Sequence, residues 1–191
     1  MSERGHTLLE VVLVVAMVVV LAAVAVPNIK AYSVEAHLLG AGRIFKGEFW
    51  KARSMAVRSG CQTALRFERR GEAMYVSVYA DGNRNGVRAA EVASGLDRRV
   101  AGPVMLASGA PGVRVGINPG VPAIPPEAGI LDPADPIRFG RADMLSFSPI
   151  GTATPGTFYL AGEGIQAGVR VNGESARVRL MVCRGGRWRE R

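Results

Sequence analysis

From Arg177 to Arg191 the chain carries six arginines, Arg177, Arg179, Arg184, Arg187, Arg189 and Arg191, against one acid, Glu190. A local charge of +5 in fifteen residues is the footprint of a phosphate-binding surface. The guanidinium suits that chemistry because its planar fork of donors matches two phosphate oxygens at once. Gly185 and Gly186 give the backbone room to approach a polyanion, and Trp188, between Arg187 and Arg189, can stack on a base or ribose. The competing reading is an exposed, solvated tail, as most charge runs are.

Asp81-Gly82-Asn83-Arg84-Asn85-Gly86 is a second place where residue types suggest chemistry, since it puts oxygen ligands at alternate positions just before a glycine. A calcium loop of the EF-hand kind also needs a bidentate Glu at its twelfth position, where this chain has Val92, with Glu91 off by one. Asn85-Gly86 is equally a turn signal, and the turn is the preferred reading, with no metal or cofactor expected. The only histidines are His6 and His37, so neither a histidine-based triad nor a multi-histidine metal site can be assembled. There is no G-x-S-x-G, H-E-x-x-H or phosphate-loop sequence, and nothing in the order of Asp132, Asp135 and Glu163 pairs them. No catalytic residue is assigned, and the chain is expected not to be an enzyme.

The elements that would carry these residues begin with sixteen unbroken apolar residues, Val11 to Val26. Extended across Glu10 to Thr7, about 20 helical residues at 1.5 Å each reach roughly 30 Å, a membrane-length segment. A cleaved signal peptide needs a shorter core and a small-residue cleavage site; here Pro27, Asn28, Ile29 and Lys30 follow, so a retained anchor is the preferred expectation over a signal peptide or a buried helix. Glu10 sits near one end, where it can snorkel to the interface or pair with a cation. Were the chain cut after Gly5, the new α-amino group of His6 would lie one turn away, and a unit pair at 4 Å gives about 4 kcal/mol at an effective dielectric of 20. That offsets the ~2.5–3.5 kcal/mol that insertion scales assign to a buried carboxylate.

Beyond Pro27, which is expected to kink the helix, Tyr32, Ala36, Leu39, Phe45, Phe49, Ala52 and Ala56 recur at threes and fours apart from a gap at Gly42. The spacing predicts one helix from about Thr7 to Ser59, its second half laid on a sheet. After Gly60 the period becomes alternating. Thr63–Glu68 and Met74–Tyr79 read as a hairpin, with further strands at Val113–Ile117, Met144–Phe147, Thr157–Leu160, Val169–Val171 and Arg177–Val182. Pro119 to Pro136 holds six prolines and reads as an extended surface loop outside the sheet. The whole chain, 191 residues with a net charge of +8 and 21 arginines to three lysines, is enough for one domain plus an appendage. The expected class is α+β: a long N-terminal helix, its first half membrane-spanning, packed on an antiparallel β-sheet head with few buried aromatics.

Gly5-His6-Thr7-Leu8-Leu9-Glu10, followed by the apolar run and Pro27, resembles the N-terminus of the type IV pilin and type II secretion pseudopilin superfamily, although the family usually has Phe where this chain has His6. The resemblance implies a pilin-like fold, with a prepilin leader over 1–5 and cleavage between Gly5 and His6 by a prepilin peptidase. It further implies N-methylation of His6 and Glu10 as the residue that registers subunits during assembly. The chain would then divide into a transmembrane and assembly helix over 6–27, a periplasmic continuation over 28–59 and a head over 60–191. It would be a single-pass inner-membrane protein with its C-terminal domain in the periplasm, its partners being other pilins or pseudopilins and an inner-membrane assembly platform. In a periplasmic head, Cys61 and Cys183 can be two unrelated thiols or a disulfide. The bridge, the preferred reading, would close a loop of more than 120 residues and contribute about 4–5 kcal/mol.

Phe147-Ser148-Pro149-Ile150-Gly151, then Gly156-Thr157-Phe158-Tyr159-Leu160, is similar to the pattern of the GspH/FimT branch, as is the Asp81 turn. Gly186-Arg187-Trp188-Arg189 matches the G-R-x-R signature associated there with DNA binding in natural transformation. The resemblance therefore implies a non-enzymatic filament subunit. It would bind extracellular DNA through Arg184, Arg187 and Arg189 with Trp188 in support, or else serve at the tip of a type II secretion pseudopilus without DNA binding.

Overall fold

A computed structural model describes residues 8–71, 73–106, 112–140 and 142–191, without the side chains at 24, 26–28, 30 and 31. The proposed leader, the cleavage and methylation positions Gly5 and His6, and the Pro27 side chain lie outside the described residues. Helix α1 runs from Leu8 to Ser59, 52 residues, or about 78 Å. It is followed by β1 (Thr63–Arg70), β2 (Ala73–Ala80), α2 (Ala89–Ser94), β3 (Arg98–Met105), β4 (Arg114–Val115) and β5 (Ile137–Phe139). The chain ends with β6 (Met144–Phe147), β7 (Gly156–Gly162), β8 (Ile165–Val171), β9 (Val178–Arg184) and β10 (Arg187–Glu190).

Where the single antiparallel sheet was expected, the strands form two. One has the order β3-β2-β1-β6, and the other β10-β9-β8-β7-β4 with β5 also paired to β7. All pairings are antiparallel. Strands β3, β5 and β10 escape the sequence pattern. In β3 the exposed run Arg98–Val100 and the Gly102-Pro103 pair hide the alternation, and β5 and β10 are three and four residues long.

The described first half of α1 differs from the expectation as well. Among the described residues no helix is long and apolar enough to cross a membrane. This overturns the membrane-spanning assignment for 6–27, and with it the single-pass inner-membrane placement and the periplasmic location of the head. The physical reason lies in the length of the uninterrupted run. Sixteen residues from Val11 to Val26 reach about 24 Å at 1.5 Å each, short of a hydrocarbon core of ~30 Å, and Glu10 and Pro27 bound them. Among the described side chains of this run, Val11–Val15 and Met17–Leu21 are uncovered, from 52% exposure at Val11 to 70% at Leu21.

The second half of α1 is buried along Leu38, Ala41, Phe45, Phe49, Ala52 and Ala56, spaced by threes and fours as one helical face requires. Tyr32 and Ala36, expected on that face, are exposed and Leu39 is only half-buried, because the true stripe passes back from Phe45 through Ala41 to Leu38. Gly42 is the reason the spacing misleads. It is no gap in the contact: a Cβ there would stand 2.8 Å from Leu180 Cδ1, so the missing side chain is what lets β9 approach the helix.

Between helix and sheets, the rings of Phe45 (α1), Phe67 (β1), Phe139 (β5) and Phe158 (β7) stack with centroids 5.1 to 6.3 Å apart. Phe49 meets Phe147 of β6 edge-on at 4.8 Å. Buried aromatics are thus not few: five of the six phenylalanines are fully buried. The Pro-rich segment 119–136 contributes no strand to either sheet, yet it is more than a surface loop. Its Ala123, Ile124 and Leu131 bury a second small core with Ile117 and Tyr159 over the outer face of the larger sheet.

Candidate polyanion interface

Strands β9 and β10 form a hairpin at the edge of the larger sheet. Gly185 and Gly186 close it with φ of 57° and 75°, the two left-handed positions that a two-residue turn of matching twist demands. The register pairs Arg187 with Arg184, Trp188 with Cys183, Arg189 with Val182 and Glu190 with Met181. Side chains alternate between faces along a strand, so Arg184, Arg187, Arg189 and Arg191 share the face that also carries Val182 and Leu180. That is the face turned toward α1. The four arginines line a concavity of about 230 Å³ together with Glu35 of α1.

Like charges directly opposite on paired strands repel, and Arg184 faces Arg187 in that way. Glu35 relieves part of the repulsion. Its Oε2 accepts from Arg184 Nη2 at 2.9 Å and its Oε1 from Arg191 Nη2 at 3.1 Å. The carboxylate is largely buried while both guanidiniums are more than half exposed, so each pair is worth only about 0–1 kcal/mol. Arg187 and Arg189 make no ion pair among the described residues. The face therefore offers two unpaired and two partly engaged forks, rigidly spaced by a strand register, to an anion.

Trp188 does not share that face. The alternation that brings Arg187 and Arg189 together sends the residue between them to the other side. There its Nε1–H donates to the Pro122 carbonyl at 2.9 Å and its ring lies 6.4 Å from that of Tyr159. The indole thus lies on the face away from these four arginines and fastens the hairpin to the Pro-rich segment.

No family model, curated protein or solved structure matches this chain.

The proposed disulfide is corrected too, since Cys61 and Cys183 are both free thiols. The bridge assumed that first and last strands are neighbours, whereas Cys61 precedes β1 of one sheet and Cys183 lies in β9 of the other. Burial pushes the Cys183 thiol up, against a smaller opposing pull from the Gly186 N–H.

In the Asp81 loop the carboxylate is engaged by the backbone. Oδ1 accepts from the N–H groups of Asn83 and Arg84 at 3.0 and 2.7 Å, and Oδ2 from that of Gly86 at 2.8 Å. Asn85 Nδ2 donates to Glu91 Oε1 at 2.8 Å. Asp97, which sequence reasoning did not single out, completes the loop by accepting from Gly82 and Arg88. Burial pushes the Asp81 carboxyl up, but the N–H donors of Gly86, Asn83, Arg84 and Asn85 more than offset it, leaving the group below its ordinary value. A cation would have to displace those donors, so the arrangement is that of a carboxylate-centred turn. Glu35 was likewise missed as a site residue. It is 149 positions from Arg184, and no local pattern connects them.

Proposed function

We propose that this chain is a non-enzymatic subunit of a pilin-type filament, of the minor pilin or pseudopilin kind, that binds DNA nonspecifically through the arginine face of its last hairpin. The convergence of Arg184, Arg187, Arg189 and Arg191 on one concave face with a single acid, Glu35, carries the reading. A guanidinium cluster of this kind takes phosphodiesters by charge and by paired hydrogen bonds, without regard to sequence. The uncovered apolar length of α1 supports the assembly half of the proposal: a helix apolar all round needs cover, and the same helices of neighbouring subunits supply it.

The test is fluorescence anisotropy of the full-length chain, held in solution with mild detergent, against a labelled duplex over a salt series. Replacing Arg187 and Arg189 by Ala should reduce the slope of log affinity against log salt by about 1.8, or ~0.9 for each lost phosphate contact. Absence of duplex binding at about 50 mM salt would end the DNA half of the proposal. A second reading, a tip subunit of a secretion pseudopilus without DNA binding, draws on the partial neutralisation of Arg184 and Arg191 by Glu35. Uptake of labelled DNA against export of a secreted hydrolase, compared in a deletion strain, separates the two.

A further inference from the structure

The face of the larger sheet opposite α1 bears a second row of cations. Arg179 of β9 stands directly across from Arg170 of β8, Arg170 across from Thr157 of β7, and Thr157 across from Arg138 of β5. Two arginines directly opposed are unfavourable by themselves, and the three acids near the row, Glu127, Asp135 and Glu190, are all about half exposed, so they offset that repulsion only weakly. Glu127 accepts from Arg170 at 2.9 Å and lies 3.9 Å from Arg138, Asp135 lies 3.3 Å from Arg138, and the acid paired with Arg179 is Glu190, at 3.9 Å. Arg177 makes no ion pair among the described residues.

Beside this row lies a concavity of about 600 Å³ lined by Arg170, Arg177 and Arg179 together with Thr157 and Ser175. A neighbouring one of about 520 Å³ shares Arg177 and Arg179 and adds Lys46 of α1 and Arg191. Arg191 in turn lines the concavity of the arginine face. The shared walls join the three into one basic track from Arg170, around the exposed edge of β10, to Arg184. Three acids, Glu127, Glu190 and Glu35, stand along it.

We propose that Arg177, Arg179 and Lys46 are a second phosphate-binding segment continuous with the arginine face, and that the track takes a single strand of nucleic acid bent around the β10 edge. This rests on the DNA-binding proposal and specifies its ligand. Stiffness decides between ligands. A duplex with a persistence length of about 150 base pairs cannot turn around one β-strand, so it reaches the arginine face alone. A single strand can follow the turn and neutralise both segments.

The experiment measures salt slopes for the full-length chain with labelled single strands of about 6 and about 24 nucleotides, bracketing common single-strand footprints, and with a duplex. In R177A/R179A the slope for the long single strand falls by about 1.4, at ~0.7 per phosphate contact. The slopes for the short strand and the duplex stay as in the unmutated chain. R187A/R189A lowers all three. An unchanged long-strand slope in R177A/R179A, or an equal loss on the duplex, overturns the track while leaving the DNA-binding proposal intact. Failure of the unmutated chain to bind any of the three overturns both. Displacement of the long strand by millimolar inorganic phosphate would show isolated anion subsites and would also overturn the track.

Discussion

Replacing Glu35 by Gln should strengthen DNA binding and steepen its salt dependence, although Glu35 lies on α1 and outside the arginine-rich segment. In the folded chain this carboxylate holds the guanidiniums of Arg184 and Arg191 at 2.9 and 3.1 Å. A phosphate that engages either fork must compete with it. Glutamine keeps the side chain's length and removes the charge, releasing two cations to the ligand. At ~0.9 per phosphate contact on duplex DNA, two added contacts steepen the slope of log affinity against log salt by about 1.8. Between 50 and 200 mM salt that adds about a twelvefold loss of affinity to the loss the unmutated chain shows. The fold should tolerate the change, because each ion pair has a partner more than half exposed and such pairs contribute about 0–1 kcal/mol. Anisotropy titrations of the two proteins at several salt concentrations, with thermal unfolding as a control, give both numbers. An equal slope, or weaker binding by a stably folded E35Q, would refute the idea that Glu35 and phosphate compete for the same two forks.

Gly40→Ala and Gly42→Ala should part company in thermal unfolding. The first meets nothing within 4 Å and should gain up to about 1 kcal/mol of helix propensity, while the second drives a Cβ to 2.8 Å from Leu180 and should lose about 1–3 kcal/mol to overpacking before any such gain. Asp81→Asn should flatten the acid limb of the stability profile. The folded carboxyl lies below its ordinary value, so its stabilisation is present above the unfolded value of about 3.9 and is lost as pH falls through the folded one. Denaturant midpoints measured from neutral pH down to pH 3 should therefore converge for the two proteins at the acid end. Trp188→Phe removes the hydrogen bond to Pro122 and should cost about 1 kcal/mol; its DNA salt slope should match that of the unmutated chain, and a reduced slope would return the indole to the interface.

How much the sequence discloses depends on how far each signal travels along the chain. The stripe Phe45, Phe49, Ala52 and Ala56 is readable because helical burial repeats locally, and the β1–β2 hairpin because its strands are eight residues each and alternate. Leu38 and Ala41 were missed since Gly42 looks like a break in a pattern built on side chains, when the contact there is made by the backbone. The arginine cluster is visible as composition. Its division into Arg184, Arg187 and Arg189 on one face and Trp188 on the other needs the strand register, and β10 is too short to declare itself. The Cys61–Cys183 pairing failed because adjacency of strands in a two-sheet fold is decided by topology, which chain order does not reveal. The membrane assignment failed at its margin, where a run of sixteen apolar residues was stretched across Glu10 to reach a spanning length.

The four stacked rings of Phe45, Phe67, Phe139 and Phe158 are also a mechanical joint. One ring belongs to the long helix, one to the smaller sheet and two to the larger. A pull along the exposed end of that rod reaches both layers of the head at once through these rings, with the Phe49–Phe147 contact and the close approach of β9 at Gly42 sharing the load.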